Sequence, residues 1–324
     1  MEKETQSPTK KAALILNPHA GKGRNLGDIF TPLRLAGYQT KIYKTHKAGD
    51  AAKYAKDLAS QNDLILCCGG DGTLHEVVTG ILQAAANTPI GYIPAGTTND
   101  MACSLNIPTD PMHAIYSILN GKSSAQDIGL LGKSQYFTYI AAFGAFTSIP
   151  YSTPQHWKSR LGYLAYLLQI LCCLNELHPY KLDFVTDSGP HESGAFLYGG
   201  VTNAYTVSKI FHFKKEDVKQ DDGQLELMLI RCPQNPLDFF RIAANLILRK
   251  TDDHLVIFRH IHSATFHFEE ETTWTADGEY AGKHQQVSLR CLPGVVQLIH
   301  GPTQQQTIPL RKHPLFPGHN SSTT

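Results

Sequence analysis

Between residues 12 and 93, short apolar runs alternate with stretches of helical periodicity, and this alternation constrains the fold more than any other feature. Residues 12–16 (AALIL), 40–43, 64–68 and 90–93 read as strands. Ile29, Phe30 and Leu33, the alanine-rich stretch 51–60 and residues 74–86 read as helices. Repeated strand–helix units predict an α/β class with an open, mainly parallel sheet. Sheets of that kind bind ligands beyond the carboxyl ends of their strands, where each glycine-bearing loop of this half falls.

After about residue 130 the texture changes. Strand-like segments at 136–142, 195–202, 224–230, 255–259, 262–268 and 286–291 dominate, with helical segments near 158–175 and 236–249. The expected organisation is a flexible terminus at 1–10, an α/β domain at 11–130, a β-rich domain at 131–301, and a loosely composed tail at 302–324. A chain of 324 residues, 42% apolar and 18% charged, can bury the core that two domains need. Its formal net charge of +1 gives no reason to expect a nucleic-acid partner.

The first dozen residues lack the apolar stretch of a signal peptide. Leu161 to Leu174, broken by Gln169, is shorter than the ~20 residues of a membrane-spanning helix, so no transmembrane segment is expected. Seven cysteines, with adjacent pairs at 67–68 and 172–173, form neither a disulfide framework nor a zinc pattern. Reduced thiols in a cytoplasm fit them best.

Three loops carry the chemistry. Gly69-Gly70-Asp71-Gly72-Thr73 follows a strand and opens a helix, so glycine amides and a helix N-terminus favour an anion. Asp71 among them would repel a bare phosphate, and a magnesium nucleotide satisfies both. Pro94-Ala95-Gly96-Thr97-Thr98-Asn99-Asp100 repeats the arrangement after the next strand, although the same residues also suit a capped helix start. Asn17-Pro18-His19-Ala20-Gly21 ends the first strand, with Lys22 close by. Neither a P-loop nor a GxGxxG fingerprint is present. His260, His262 and His267 alternate on a strand and read as surface residues.

With Asp127-Ile128-Gly129, Asp221-Asp222-Gly223 and Asp277-Gly278-Glu279, these motifs resemble, in order and spacing, the diacylglycerol kinase catalytic family. The likeness runs from about residue 11 to 300 and is nearest to the soluble bacterial diacylglycerol kinases. It extends through Ile140 to Gly144, Leu161 to Tyr166 and Asp238 to Leu248. The resemblance implies an ATP-binding α/β domain joined to a β-sandwich-like lipid-substrate domain. It also implies a magnesium-dependent kinase that phosphorylates diacylglycerol to phosphatidic acid at a membrane surface, as a cytoplasmic protein transiently peripheral to the inner face. Another lipid alcohol, a sphingoid base or a different glycerolipid, stays open as acceptor, as do a non-catalytic regulator and a homodimer.

Carried over by motif, Asn17, Pro18, His19, Ala20, Gly21, Thr45, Gly70, Asp71, Gly72, Thr73, Leu74, His75, Glu76 and Thr97 would bind ATP. Asp71 would hold magnesium and Glu279 would be the general base, a role suited to a carboxylate that accepts a hydroxyl proton. A structural magnesium would sit on the Asp222 side chain and the backbone oxygens of Lys219 and Gln224. Asp100 and Asp127 are candidate outer members of the acidic network around Asp71. The chain departs from the family at His75, where asparagine is usual, at Gln169, where lysine is frequent, and along Lys209 to Gln220.

Overall fold

A computed structural model of the chain describes residues 10–20, 26–144, 178–207, 211–212, 218–248 and 254–301. The α/β class expected from the sequence is present. Strand β1 (Lys10–Leu16) runs parallel to β2 (Tyr38–Lys44) and β3 (Leu64–Gly69), and β3 runs parallel to β4 (Ile90–Pro94). Helices α1 (Phe30–Leu35), α2 (Asp50–Leu58), α3 (Asp71–Gln83), α4 (Asp100–Ser104) and α5 (Pro111–Asn120) connect or follow these strands.

The two-residue period of the strands sorts their side chains between two helix layers. Ala13, Ile15, Ile65, Cys67 and Tyr92 pack with Ala51 and Ala55 of α2 and with Leu74, Val77 and Ile81 of α3. Leu14, Leu64, Leu66 and Ile93 face the other way, onto Leu33 of α1 and Ala114 and Ile115 of α5. Every residue of β3 and β4 is therefore buried, as strands covered on both faces must be.

The later elements are β5 (Lys122–Leu131), β6 (Gln135–Phe137), β7 (Ile140–Gly144), β8 (Tyr180–Thr186), β9 (Glu192–Thr202), β10 (Thr206–Val207), β11 (Phe211–His212) and β12 (Leu225–Arg231). Helix α6 (Pro236–Leu248) and strands β13 (Val256–Ile261), β14 (Ser263–Ala276) and β15 (Glu279–His300) complete the described chain. Pairings among these strands are antiparallel. An aromatic core fills this half: Phe143 lies edge-on to Phe268, with ring centroids 4.9 Å apart, and packs with Phe184, Phe196, Phe266 and Trp274.

Strand β15 joins the halves. Its start pairs with β14, while Val296 to His300 pair with β5, and Leu298 and Ile299 run parallel to Ile90 and Gly91 of β4. One 13-stranded sheet results. Leu298 and Ile299, which the sequence groups with the β-rich half, thus pair with the parallel strands as well. The helix expected at 158–175 with Gln169, the tail after 302, and Gly21 lie outside the described residues.

Candidate active site

Two glycine loops meet at the carboxyl ends of β3 and β4. A Cβ on Gly96 would stand 2.6 Å from the Cα of Gly70, so backbone approach at this point requires glycine. Above Gly72 there is open space, and its amide belongs to the first turn of α3, where helix dipole and unpaired N–H groups favour an anion. Thr97 is exposed at the second loop. Close backbones, an open glycine and a helix start suit a nucleotide's phosphates.

Asp71 locks the loops together. Its Oδ2 accepts from Thr98 Oγ1 at 3.0 Å and from the Asp100 amide at 3.1 Å, and its Oδ1 accepts from the Met101 amide at 3.3 Å. The first amides of α4 thereby receive their cap from α3 rather than from a residue of their own loop. Asn99 has a left-handed backbone, φ 50°, and closes its own loop by accepting from the Gly96 amide and donating to the Gly96 carbonyl. Asp100, whose amide donates to Asp71 Oδ2, is itself buried, 1% exposed.

The remaining nucleotide candidates divide by what holds them. Asn17 Nδ2 donates to Thr73 Oγ1 at 3.1 Å and its Oδ1 accepts from the His19 amide, which fastens the β1 loop, with exposed Pro18 and His19 and half-buried Ala20, to α3. Thr45 is buried, its amide donating to the Leu16 carbonyl. Leu74 is a core side chain, 1% exposed. Glu76 accepts from the Gly49 amide at 2.8 Å and the Ala51 amide at 3.0 Å, so its carboxylate caps the start of α2.

The β14–β15 hairpin carries the other catalytic candidate. Asp277 (φ 50°) and Gly278 (φ 84°) are both left-handed, the pattern of a tight two-residue hairpin turn, and Ala276 pairs with Glu279 across it. Glu279 is exposed at the first position of β15. The Asp277 carboxylate is buried and accepts from the amides of Thr138, Tyr139 and Ile140 and from Thr138 Oγ1. His75 Nδ1, from the first turn of α3, lies 2.8 Å from Asp277 Oδ2. Burial pulls the His75 ring down, but the Asp277 bond and the charges of Asp277, Glu76 and Glu279 outweigh it and raise its pKa. Burial likewise raises the Asp277 carboxyl, yet His75 and the amides hold it below its ordinary value.

The loop expected to hold a structural metal lies elsewhere. Lys219 and Asp222 are exposed, and Asp222 Oδ1 accepts from the Gln224 amide at 3.0 Å. Among the described residues, no group of three or more His, Cys, Asp or Glu side chains could hold a metal ion; the expected set uses one carboxylate and two carbonyls. Asp127 turns toward this loop, accepting from the amides of Gly223 at 2.6 Å and Gly294 at 2.7 Å. Burial and the charges of Asp222 and Asp221 raise its pKa.

Close by, Glu226 is fully buried in β12 and meets no hydrogen-bond donor from a neighbour; His260 Nδ1 stands 3.8 Å away. Burial, with the charge of Asp222, pushes its pKa up to about 9. The sequence reading missed this residue. Its signal was a lone charge in the otherwise apolar run LELMLI, which Arg231 ends.

Residues 11–131 match the diacylglycerol kinase catalytic domain. The chain is 33% identical to a diacylglycerol kinase of Bacillus subtilis (strain 168) over 84% of its own length and 91% of the relative's. It is 34% identical to a diacylglycerol kinase of Staphylococcus aureus (strain JH9), over 85% and 87% of the two chains. A crystal structure of a diacylglycerol kinase from Bacillus anthracis str. Sterne shares the fold, with a TM-score of 0.70 at 24% identity over 90% of this chain and 97% of that one. The resemblance read from the motifs holds across most of the sequence. The chain therefore belongs to the diacylglycerol kinase family and is a kinase.

Proposed function

We propose that this kinase transfers the γ-phosphoryl group of ATP to the hydroxyl of diacylglycerol, giving phosphatidic acid, with magnesium required. The observation that carries the reading is the meeting of the Gly70 and Gly96 loops over the N-terminus of α3, with the Glu279 hairpin hydrogen-bonded to that same helix turn. Asn17 to Gly21, Thr45, Gly70 to Glu76 and Thr97 form the ATP site in this reading. Asp71 holds the magnesium, which when bound offsets the phosphate charge. Glu279 accepts the lipid hydroxyl proton as that oxygen bonds to the γ-phosphorus and the bond to ADP breaks.

Residues 11–130 are taken as the nucleotide domain and 131–301 as a β-sandwich-like lipid domain, with Leu298 and Ile299 pairing back onto β4. Lys219, Asp222 and Gln224 are assigned to a structural magnesium. No helix among the described residues is long and apolar enough to cross a membrane, so a bilayer substrate calls for transient peripheral docking. A panel assay with labelled ATP against diacylglycerol, a sphingoid base and monoacylglycerol tests the reading. Label transferred to diacylglycerol in preference to the others is expected; absence of lipid-dependent transfer overturns it. Flotation with anionic liposomes containing diacylglycerol tests the docking.

A further inference from the structure

The bond between His75 and Asp277 spans 202 residues of sequence and links the nucleotide half to the hairpin that bears Glu279. Asp277 takes its other donors from Thr138 and Tyr139, in the short connection between β6 and β7, and from Ile140 at the start of β7. That cluster fixes the hairpin within its own half. His75 alone among the five donor groups' parent residues belongs to α3, so the imidazole sets how the tip stands against the helix start. Glu279 follows Asp277 by two residues through a tight turn, and a shift of the tip moves Glu279 with it.

We propose that His75 is a positioning residue: its Nδ1–H bond to Asp277 sets the distance between Glu279 and the nucleotide loops. The inference rests on the kinase reading only for its activity readout. Asp277 is a carboxylate, so Nδ1 carries the proton and donates whether or not Nε2 is protonated. The charges acting on the ring come from Asp277 and Glu279 on the hairpin and from Glu76 on α3 itself, all negative. Each favours the imidazolium. The charge-assisted part of the link is thus complete below the ordinary histidine value of about 6.5 and is lost as pH rises through the ring's higher folded value.

Two full-length variants separate the bond from the bulk of the ring. His75→Asn keeps an amide N–H where Nδ1 stands but cannot titrate; His75→Phe keeps the ring and removes the donor. Amide hydrogen exchange at residues 278–280, which needs no catalysis, is expected to rise about tenfold in His75→Phe and to stay near the wild-type rate in His75→Asn. In the lipid kinase assay, kcat should fall about tenfold in His75→Phe, and His75→Asn should recover it while losing the wild-type change across the alkaline limb. Should His75→Phe not fold, His75→Ala serves the same comparison. Wild-type exchange in the donorless variant, or equal loosening in both variants, overturns the proposal. A protein with no activity toward any lipid would refute the kinase reading and leave the exchange result to decide this one.

Discussion

Asp277 at the hairpin tip and Glu226 on β12 are both buried carboxyls of the β-rich half, and their surroundings push them in opposite directions. Asp277 gathers three amides, a hydroxyl and an imidazole, and its pKa falls. Glu226 gathers no donor, faces Asp222 and Asp127, and its pKa climbs to about 9. Burial is common to both; the difference lies in the donors. A carboxyl supplied with donors stays charged and organises chain around it, whereas one left without them is kept as a neutral acid. The first kind connects the halves of this kinase, and the second lies under the loop that carries Asp222.

The sharpest test of the hairpin region is Glu279→Gln. Turnover should fall by about 10² to 10⁴ while ATP binding, followed by calorimetry, persists. Unchanged turnover would leave the hairpin a scaffold with no chemistry of its own.

Next in size is Asp277→Ala, which strands the amides of residues 138–140 and the His75 ring in a buried place. A loss of about 3–5 kcal/mol in urea unfolding is expected near pH 7. Because the folded pKa of Asp277 is depressed, its contribution is present above the ordinary carboxyl value and is lost as pH falls through the folded one.

Glu226→Gln should move stability the other way. Between the ordinary glutamate value of 4.5 and about 9, the unfolded chain is ionised while the folded one holds its proton. Each pH unit in that window costs the wild type about 1.4 kcal/mol. The variant should therefore match wild type near pH 4.5 and exceed it by about 3 kcal/mol at pH 7, as read from urea midpoints. Equal stabilities at pH 7 would mean that Glu226 is charged and has a cation beside it, which would erase its contrast with Asp277.

The smallest effect is expected at Glu76→Ala, away from both carboxyls. Two amides at the start of α2 lose their acceptor, for about 1–2 kcal/mol. If nucleotide affinity drops more than stability, Glu76 serves ATP as well as α2.

Local patterns in the sequence were reliable where the interactions are local. The runs at 12–16, 64–68 and 90–93 appear as β1, β3 and β4 because a strand buried on both faces must be continuously apolar. Strand β5 went unread: its first half, KSSAQ, is polar and is held by pairing with β15, 174 residues away in the case of Ser124 and Leu298. Helix α5 did carry a readable start, Asp110 capping His113 with Pro111 at the first helical position. At the site, the glycine loops were legible because the close approach of the Gly70 and Gly96 backbones demands glycine.

By itself the sequence determined the α/β class, the family and the positions of the glycine loops, since periodicity and residue chemistry act over a few positions. Only the tertiary structure decided that Asp71 caps α4, that Glu76 caps α2, that Glu226 is a buried acid, and that His75 reaches Asp277. Those outcomes depend on which distant donors surround a carboxylate, and a carboxylate's sequence neighbours do not specify its donors.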